Sequence, residues 1–217
     1  MRSMSKKMGI KMNEYGLFNQ DKLIPCANEE ELFDVFSMDY IPPELRENMG
    51  EIEAARNRNL PQLVEETDIK GIFHIHTNFS DGNIDVLQAC KFLQSMGMQY
   101  AGISDHSQTA AYAHGVREKD LSQFLSHMAE VNQTLNGFTV FKGIEADILP
   151  DGSLDYSNQA LARFDFVIAA IHSSFNLSQE SMTNRIIKAI ENRYTTMIAH
   201  PTGRILLARE PYQVDII

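Results

Sequence analysis

Tryptophan is absent from this chain of 217 residues, and cysteine occurs twice. Cys26 and Cys90 lie 64 residues apart in unrelated contexts, so neither a disulfide framework nor a cysteine-based zinc knuckle can be assembled. That usage fits a reducing cytoplasm. No apolar run approaches the roughly 20 residues that a membrane span requires. The opening residues Met1-Arg2-Ser3-Met4-Ser5-Lys6-Lys7 are basic, but no apolar stretch follows them, so they do not read as a secretory signal. Basic excess is missing too. The net charge of −10 divides evenly, −5 over residues 1–70 and −5 beyond, which argues against a module that coats nucleic acid through a basic patch. An enzyme that meets phosphates through bound cations stays open, because metal ions invert the local field. With 43% hydrophobic residues, a core can form without disulfide or structural-metal support.

The character of the chain changes near residue 70. Before it, the pattern reads as helical and loop-like. Asn28–Phe36 begins with an Asn cap and an acidic first turn, and Pro42-Pro43 opens a second helix over Glu44–Asn57, ended by Leu60-Pro61. After residue 70, strands are expected at Ile69–Ile75, Tyr100–Ser104, Phe138–Ile144, Phe164–Ile171 and Thr195–Ala199. Helices are expected at Ile84–Met96, Arg117–Leu135 and Gln179–Glu191, with a short one at Ser157–Leu161. Such alternation predicts an α/β fold with a parallel sheet or barrel.

The seven histidines carry the chemistry. His74 and His76 close the first strand as an H-x-H pair, which strand alternation places on one face. His106 follows the second strand, Glu145 ends the third, His172 the fourth and His200 the fifth. From His76 onward the spacings are 30, 39, 27 and 28 residues, each about one strand-plus-helix unit. One histidine after a buried strand is ordinarily a satisfied core or loop residue. Five consecutive strands delivering His or Glu at their carboxyl ends instead predict a metal site on the rim where parallel barrels assemble active sites. Imidazoles around a bridging carboxylate suit zinc, manganese or iron rather than calcium.

Asp81, in Ser80-Asp81-Gly82, reads either as a turn or as a carboxylate that ligates metal or orients His74 or His76. Asp105 and Asp147 adjoin ligands and read as supporting groups. Arg204 matches phosphate geometry, with a structural ion pair as the rival reading, and Gly203 leaves backbone space beside it. His127 reads as a solvated helix side chain, and His114 as a loop residue or a substrate contact.

Taken together, these strings resemble a family: His74-Ile-His-Thr-Asn-Phe-Ser-Asp-Gly82, Ser104-Asp-His-Ser107, Gly143-Ile-Glu-Ala-Asp147, Asp151-Gly-Ser-Leu-Asp155, Ala170-Ile-His-Ser173 and His200-Pro-Thr-Gly-Arg204. The pattern is similar to the polymerase-and-histidinol-phosphatase (PHP) domain, in the form found at the C-terminus of bacterial and archaeal family X DNA polymerases. Lys11-Met-Asn-Glu-Tyr-Gly-Leu-Phe18 resembles the end of the polymerase thumb. Tyr40-Ile-Pro-Pro-Glu-Leu-Arg-Glu47 and Gly50-Glu-Ile-Glu-Ala-Ala55 resemble the segment that leads into the PHP domain.

The resemblance implies a distorted β/α barrel holding up to three divalent metals, usually manganese. It also implies phosphoesterase activity at DNA 3′ ends (3′–5′ exonuclease and 3′-phosphatase), in the setting of DNA repair. It assigns metal ligation to His74, His76, Asp81, His106, Glu145, His172 and His200, with Glu145 bridging. Catalytic roles fall on His74, His76, Glu145, His172 and Arg204, and substrate contacts on Arg204 and Ser173. The expected division is a thumb-like remnant at 1–40, a linker with a helix at 41–70, and the phosphoesterase domain at 71–217. Three departures stand out. Ile72 replaces the acidic residue expected two before His74, the final Asp-x-His motif is absent, and no polymerase palm precedes the thumb-like part. The chain therefore reads as truncated at both ends, the barrel as incomplete at its C-terminus, and no polymerase activity is expected. Residues 71–217 alone are expected to be marginally stable, prone to self-association and slow as a phosphoesterase. The rival readings are a small-molecule phosphatase of the histidinol-phosphate type and an inactive remnant.

Overall fold

The computed structural model describes residues 1–215, which form two compact units, 1–64 and 65 onward. Unit one holds α1 (Arg2–Lys7), a small antiparallel sheet of β1 (Ile10–Asn13), β2 (Gly16–Asn19) and β3 (Lys22–Ile24), then α2 (Glu29–Val35) and α3 (Glu51–Arg56). The sheet corrects the helical and loop-like reading of this region. Its hairpins turn at Glu14-Tyr15, followed by Gly16 at φ 137°, and at Gln20-Asp21, where both residues lie in the left-handed region. Asn28 caps α2 as expected, its Oδ1 accepting from the Glu31 amide at 2.9 Å. The expected helix over Glu44–Asn57 is broken instead. A 3-10 turn at Pro43–Leu45 is separated from α3 by left-handed backbone at Asn48 and Gly50, which no continuous helix accommodates. Leu17, Phe33, Phe36, Met38, Ile41 and Ala55 form this unit's core.

Unit two is a five-stranded parallel sheet in the order β4 (Gly71–Ile75), β5 (Tyr100–Ile103), β6 (Thr139–Asp147), β7 (Phe166–Ala170), β8 (Met197–Ile198). It curls into a half-barrel. The helices α4 (Val86–Ser95), α5 (Leu121–Thr134), α6 (Asn158–Leu161) and α7 (Gln179–Ile190) form the crossovers. Each helix buries one stripe, such as Val86, Ala89, Cys90 and Leu93 on α4. The strands alternate. Val140, Ile144 and Ala146 of β6 face the helices, whereas Phe141, Gly143 and Glu145 face the concave side.

Below the rim, the concave side is packed by aromatic rings. Phe73 lies 4.9 Å from Phe166, 5.7 Å from Phe141 and 5.9 Å from Tyr100 between centroids. Gly102 and Gly143 leave room for these rings, since a Cβ on either would come within 2.1 Å of a Phe73 or Phe166 carbon. The layer forms an apolar floor beneath the histidines.

The strand limits shift in one way that matters for the site. β6 runs to Asp147 rather than stopping at Ile144, because β7 pairs with it through Glu145↔Ile168 and Asp147↔Ala170. Glu145 is therefore held inside a regular strand. β8 is only two residues long. No helix among the described residues is long and apolar enough to cross a membrane.

Candidate metal centre

Glu145 sits at the centre of the site, its side chain 1% exposed. Five imidazoles surround it. Oε1 lies 3.0 Å from Nε2 of His74, 3.0 Å from Nε2 of His200 and 3.5 Å from Nε2 of His172. Oε2 lies 3.0 Å from Nδ1 of His106 and 3.3 Å from Nε2 of His76. The rings close a circuit, with neighbouring centroids 4.3 Å (His76–His106), 4.8 Å (His106–His172), 5.2 Å (His172–His200 and His74–His76) and 6.2 Å (His74–His200) apart. Burial alone would raise the Glu145 carboxyl. The imidazoles of His106, His172, His200 and His74 outweigh it and hold the group far below the carboxylate range.

The donors fit divalent metal ions on two grounds. Glu145 Oε2 and His106 Nδ1 are buried without a hydrogen-bond partner, although they lie 3.0 Å apart, because the pair is poorly directed for a hydrogen bond. Three groups also bring their ligand atoms within 4.8 Å of one another: His74, His76 and Glu145; His76, Asp81 and His106; His106, Glu145 and His172. Nitrogen-rich sets with one or two carboxylates are those of transition-metal centres.

The H-x-H pair reaches the site by a different route from simple alternation. Opposite β5, the register slips between Ile72 and Ile75, and His74 occupies this bulge at φ 66°. His76 lies beyond the strand end. His200 is also in the left-handed region, at φ 28°. Strained backbone at two of the clustered imidazoles is typical of a functional site.

Asp81, 46% exposed, touches two ligands, with Oδ1 2.9 Å from His76 Nδ1 and Oδ2 3.6 Å from His106 Nε2. Asp147 grips His172, Oδ1 to Nδ1 at 2.5 Å. Burial lowers the His172 pKa, but Asp147 and Glu145 overcome this and push it up to about 9. Asp105 shapes the loop after β4, accepting from the Thr77 amide (2.7 Å), the Thr77 hydroxyl (2.8 Å) and the Ser80 hydroxyl (2.6 Å).

Two supporting residues were given no role by the sequence. Asp155 accepts from the Ser107 hydroxyl (2.7 Å) and from the amides of Thr109 (3.0 Å) and Asp147 (3.1 Å), tying its own loop to the loop after β5 and to the end of β6. Arg185, 2% exposed, donates to the carbonyls of Ile148, Leu149 (2.9 Å) and Ser173 (3.0 Å), bracing the loops after β6 and β7.

The five imidazoles and Glu145 open into a cavity of about 490 Å³ that Arg204, Arg209 and Tyr112 also line. Arg204 is exposed and makes no ion pair among the described residues, so the ion-pair reading is not borne out. Arg209 is fixed, its Nε donating to the Gly203 carbonyl at 2.6 Å and its guanidinium 3.8 Å over the Phe175 ring. Ser173, expected to contact substrate, is not part of the lining; its carbonyl serves Arg185. His114 is exposed outside this cavity. His127 is half-buried, 5.5 Å from the Phe79 ring, rather than solvated.

Comparison with known proteins decides the family. The PHP domain matches residues 73–209, and the DNA polymerase beta thumb matches residues 1–47. The chain belongs to the PHP domain family. The DNA polymerase/3′-5′ exonuclease PolX of Bacillus subtilis is 37% identical over 218 residues, spanning all of this chain and 38% of that one. A probable phosphatase of Caldicellulosiruptor bescii is 38% identical over 99 residues, covering 43% of this chain and 38% of that one. Another, of Acetivibrio thermocellus, is 29% identical over 135 residues, covering 59% and 52%. The chain thus spans less than two fifths of the length of the Bacillus relative. The PHP match starts at strand β4 and takes in every ligand of the imidazole circuit.

Proposed function

We propose that the chain is a metal-dependent hydrolase that cleaves phosphoesters at DNA 3′ ends, as a 3′–5′ exonuclease or 3′-phosphatase of a family X polymerase engaged in DNA repair in the cytoplasm. One observation carries this reading: a buried carboxylate ringed by five imidazoles opens into a cavity bearing two guanidiniums. The thumb-like residues 1–47 and the Bacillus relative's name favour DNA as substrate.

His74, His76, Asp81, His106, Glu145, His172 and His200 would hold the ions, manganese first, with zinc or iron as rivals. When bound, such ions supply Lewis-acid neutralisation of phosphoryl oxygens and acidify water. The remaining work belongs to the chain. Arg209, immobilised over Phe175, presents a fixed fork to non-bridging phosphoryl oxygens, and the unpaired Arg204 closes on them from the rim. Asp147 holds His172 Nδ1, so that Nε2 faces Glu145.

The test is turnover of a 3′-phosphorylated single-stranded oligonucleotide, a 3′-hydroxyl oligonucleotide and histidinol phosphate, each with manganese. Release of phosphate or mononucleotide from DNA is expected, and it should vanish when His74 and His76 are both replaced by Ala. The probable phosphatases among the relatives favour a second reading, a small-molecule phosphatase. Turnover of histidinol phosphate with DNA untouched would select it.

A further inference from the structure

One wall of the cavity is aromatic. Tyr112 is 66% exposed, lines the same space as the ligands and the two arginines, and meets two ligand rings edge-on, His106 at 5.8 Å and His172 at 6.3 Å.

This exposure is imposed by a rigid turn. Ala110 and Ala113, on either side of Tyr112, are fully buried at 0% and 1%. The Ala113 amide donates to Ala110 at 3.0 Å, the Gly115 amide to Ala110 at 3.1 Å and the Val116 amide to His106 at 2.7 Å. Tyr156 donates its hydroxyl to the Val116 carbonyl. Gly115 packs so closely that a Cβ there would lie 1.8 Å from the Ser107 carbonyl oxygen. The small flanking residues anchor the turn, and the one large side chain points out beside the metal ligands.

We propose that Tyr112 is a specificity-determining platform on which the nucleobase of the terminal nucleotide stacks, while its phosphate lies between the ligand cluster and Arg204. This deepens the function proposed above and rests on it. The cavity pairs a charged end, suited to a phosphoryl group, with a flat ring whose centroid lies 5.8 Å from that of His106 and 6.3 Å from that of His172. That combination matches a phosphate bonded to a nucleoside better than one bonded to a small aliphatic alcohol. A pre-ordered ring also loses little entropy on binding. Stacking on an aromatic side chain accepts any base, so the platform selects nucleotides without reading sequence.

The test compares two 3′-phosphorylated oligonucleotides that differ only in the terminal unit, a normal nucleotide or an abasic tetrahydrofuran. The wild type should show a KM about tenfold lower for the base-bearing substrate. Tyr112→Ala should abolish that preference by raising KM for the base-bearing substrate, with kcat changed far less, and Tyr112→Phe should restore it. A second readout does not depend on turnover. Because the chain has no tryptophan, Tyr112→Trp places a single reporter at the platform, and base-bearing oligonucleotide should quench it more strongly than the abasic one. Equal wild-type KM values, equal losses on both substrates in Tyr112→Ala, or identical quenching would each overturn the platform while leaving the phosphoesterase reading intact. Selective quenching with no hydrolysis of any DNA substrate would instead support the platform and sink that reading.

Discussion

The centre and the edges of the parallel sheet contribute to the same site on different terms. β6 is paired on both sides and supplies Glu145 from regular strand backbone, with its side chain 1% exposed. Among the described residues, β4 and β8 have one neighbour each. They supply His74 and His200, whose side chains are 32% and 42% exposed and whose backbones lie in the left-handed region. A central strand fixes its ligand through two ladders and a packed floor. At the edges, β4 brings in His74 through a bulge and His200 enters from left-handed backbone beyond the end of β8, each at a strain cost on the order of 1–3 kcal/mol per residue. The buried carboxylate is therefore the fixed point, and the outer imidazoles adjust around it.

The largest effect should follow from disturbing the fixed point. Glu145→Gln keeps shape and burial but removes the charge that five imidazoles face. Bound metal measured by elemental analysis should fall to background, and phosphoesterase kcat by about a thousandfold or more, several kcal/mol of lost charge stabilisation. Full metal content in this variant would mean that the centre and the edges are equivalent.

Edge ligands should count for less when removed singly. His200→Ala should weaken metal binding by roughly tenfold, whereas His74→Ala with His76→Ala together should strip most of the metal, because two of the three ligand groups lose a member. Titration calorimetry with manganese distinguishes these outcomes. If His200→Ala costs as much as Glu145→Gln, the graded picture is wrong.

Next comes the proton that competes with the metal. His172 is raised to about 9 by Asp147 and Glu145, so in the metal-free protein the ion pair stabilises the fold fully below the ordinary histidine pKa near 6.5 and is lost as pH rises through 9. Metal binding requires that proton to leave. Apparent manganese affinity should therefore increase across the same window in which metal-free thermal stability declines. Asp147→Asn should flatten the affinity slope and weaken binding by about ten- to a hundredfold. An unchanged slope in that variant would remove Asp147 from this role.

Much of this site was legible in sequence because strand ends recur at nearly even spacing and each one delivers a His or Glu. Arg185 was hidden by its type. It occupies a stripe position on α7 with Met182, Ile186 and Ala189, and only the three-dimensional course of the loops after β6 and β7 explains a buried guanidinium there. Asp155 was quoted in a motif, yet its function depends on a loop folding back beside Ser107, which spacing along the chain cannot reveal. The N-terminal sheet was missed because strands of three and four residues are too short to establish a period. The bulge at His74 was masked by the strand pattern, since the position is filled by a histidine, which tolerates left-handed backbone but does not announce it as glycine would.

The smallest predicted effect examines the floor rather than the ligands. Gly143 lies two residues before Glu145 on the central strand, and a methyl there would come within 2.1 Å of Cζ of Phe166, which is 5% exposed. Gly102, on β5, would meet Cδ1 of Phe73 at the same distance, but Phe73 is 38% exposed on the edge strand and can swing outward. Overpacking a filled core costs about 1–3 kcal/mol, offset by roughly 0.4–1 kcal/mol from the stiffer unfolded chain. Gly143→Ala should accordingly lower stability by about 1–2 kcal/mol in urea unfolding and shift the metal-binding carboxylate with it. Gly102→Ala should cost less, though Phe166 Cζ at 2.8 Å keeps it from being free. The ratio between the two variants is the informative quantity, because both add the same methyl to the same concave layer. Equal losses would show that the edge is as tightly packed as the centre, and the adjustability inferred for His74 would then need another source.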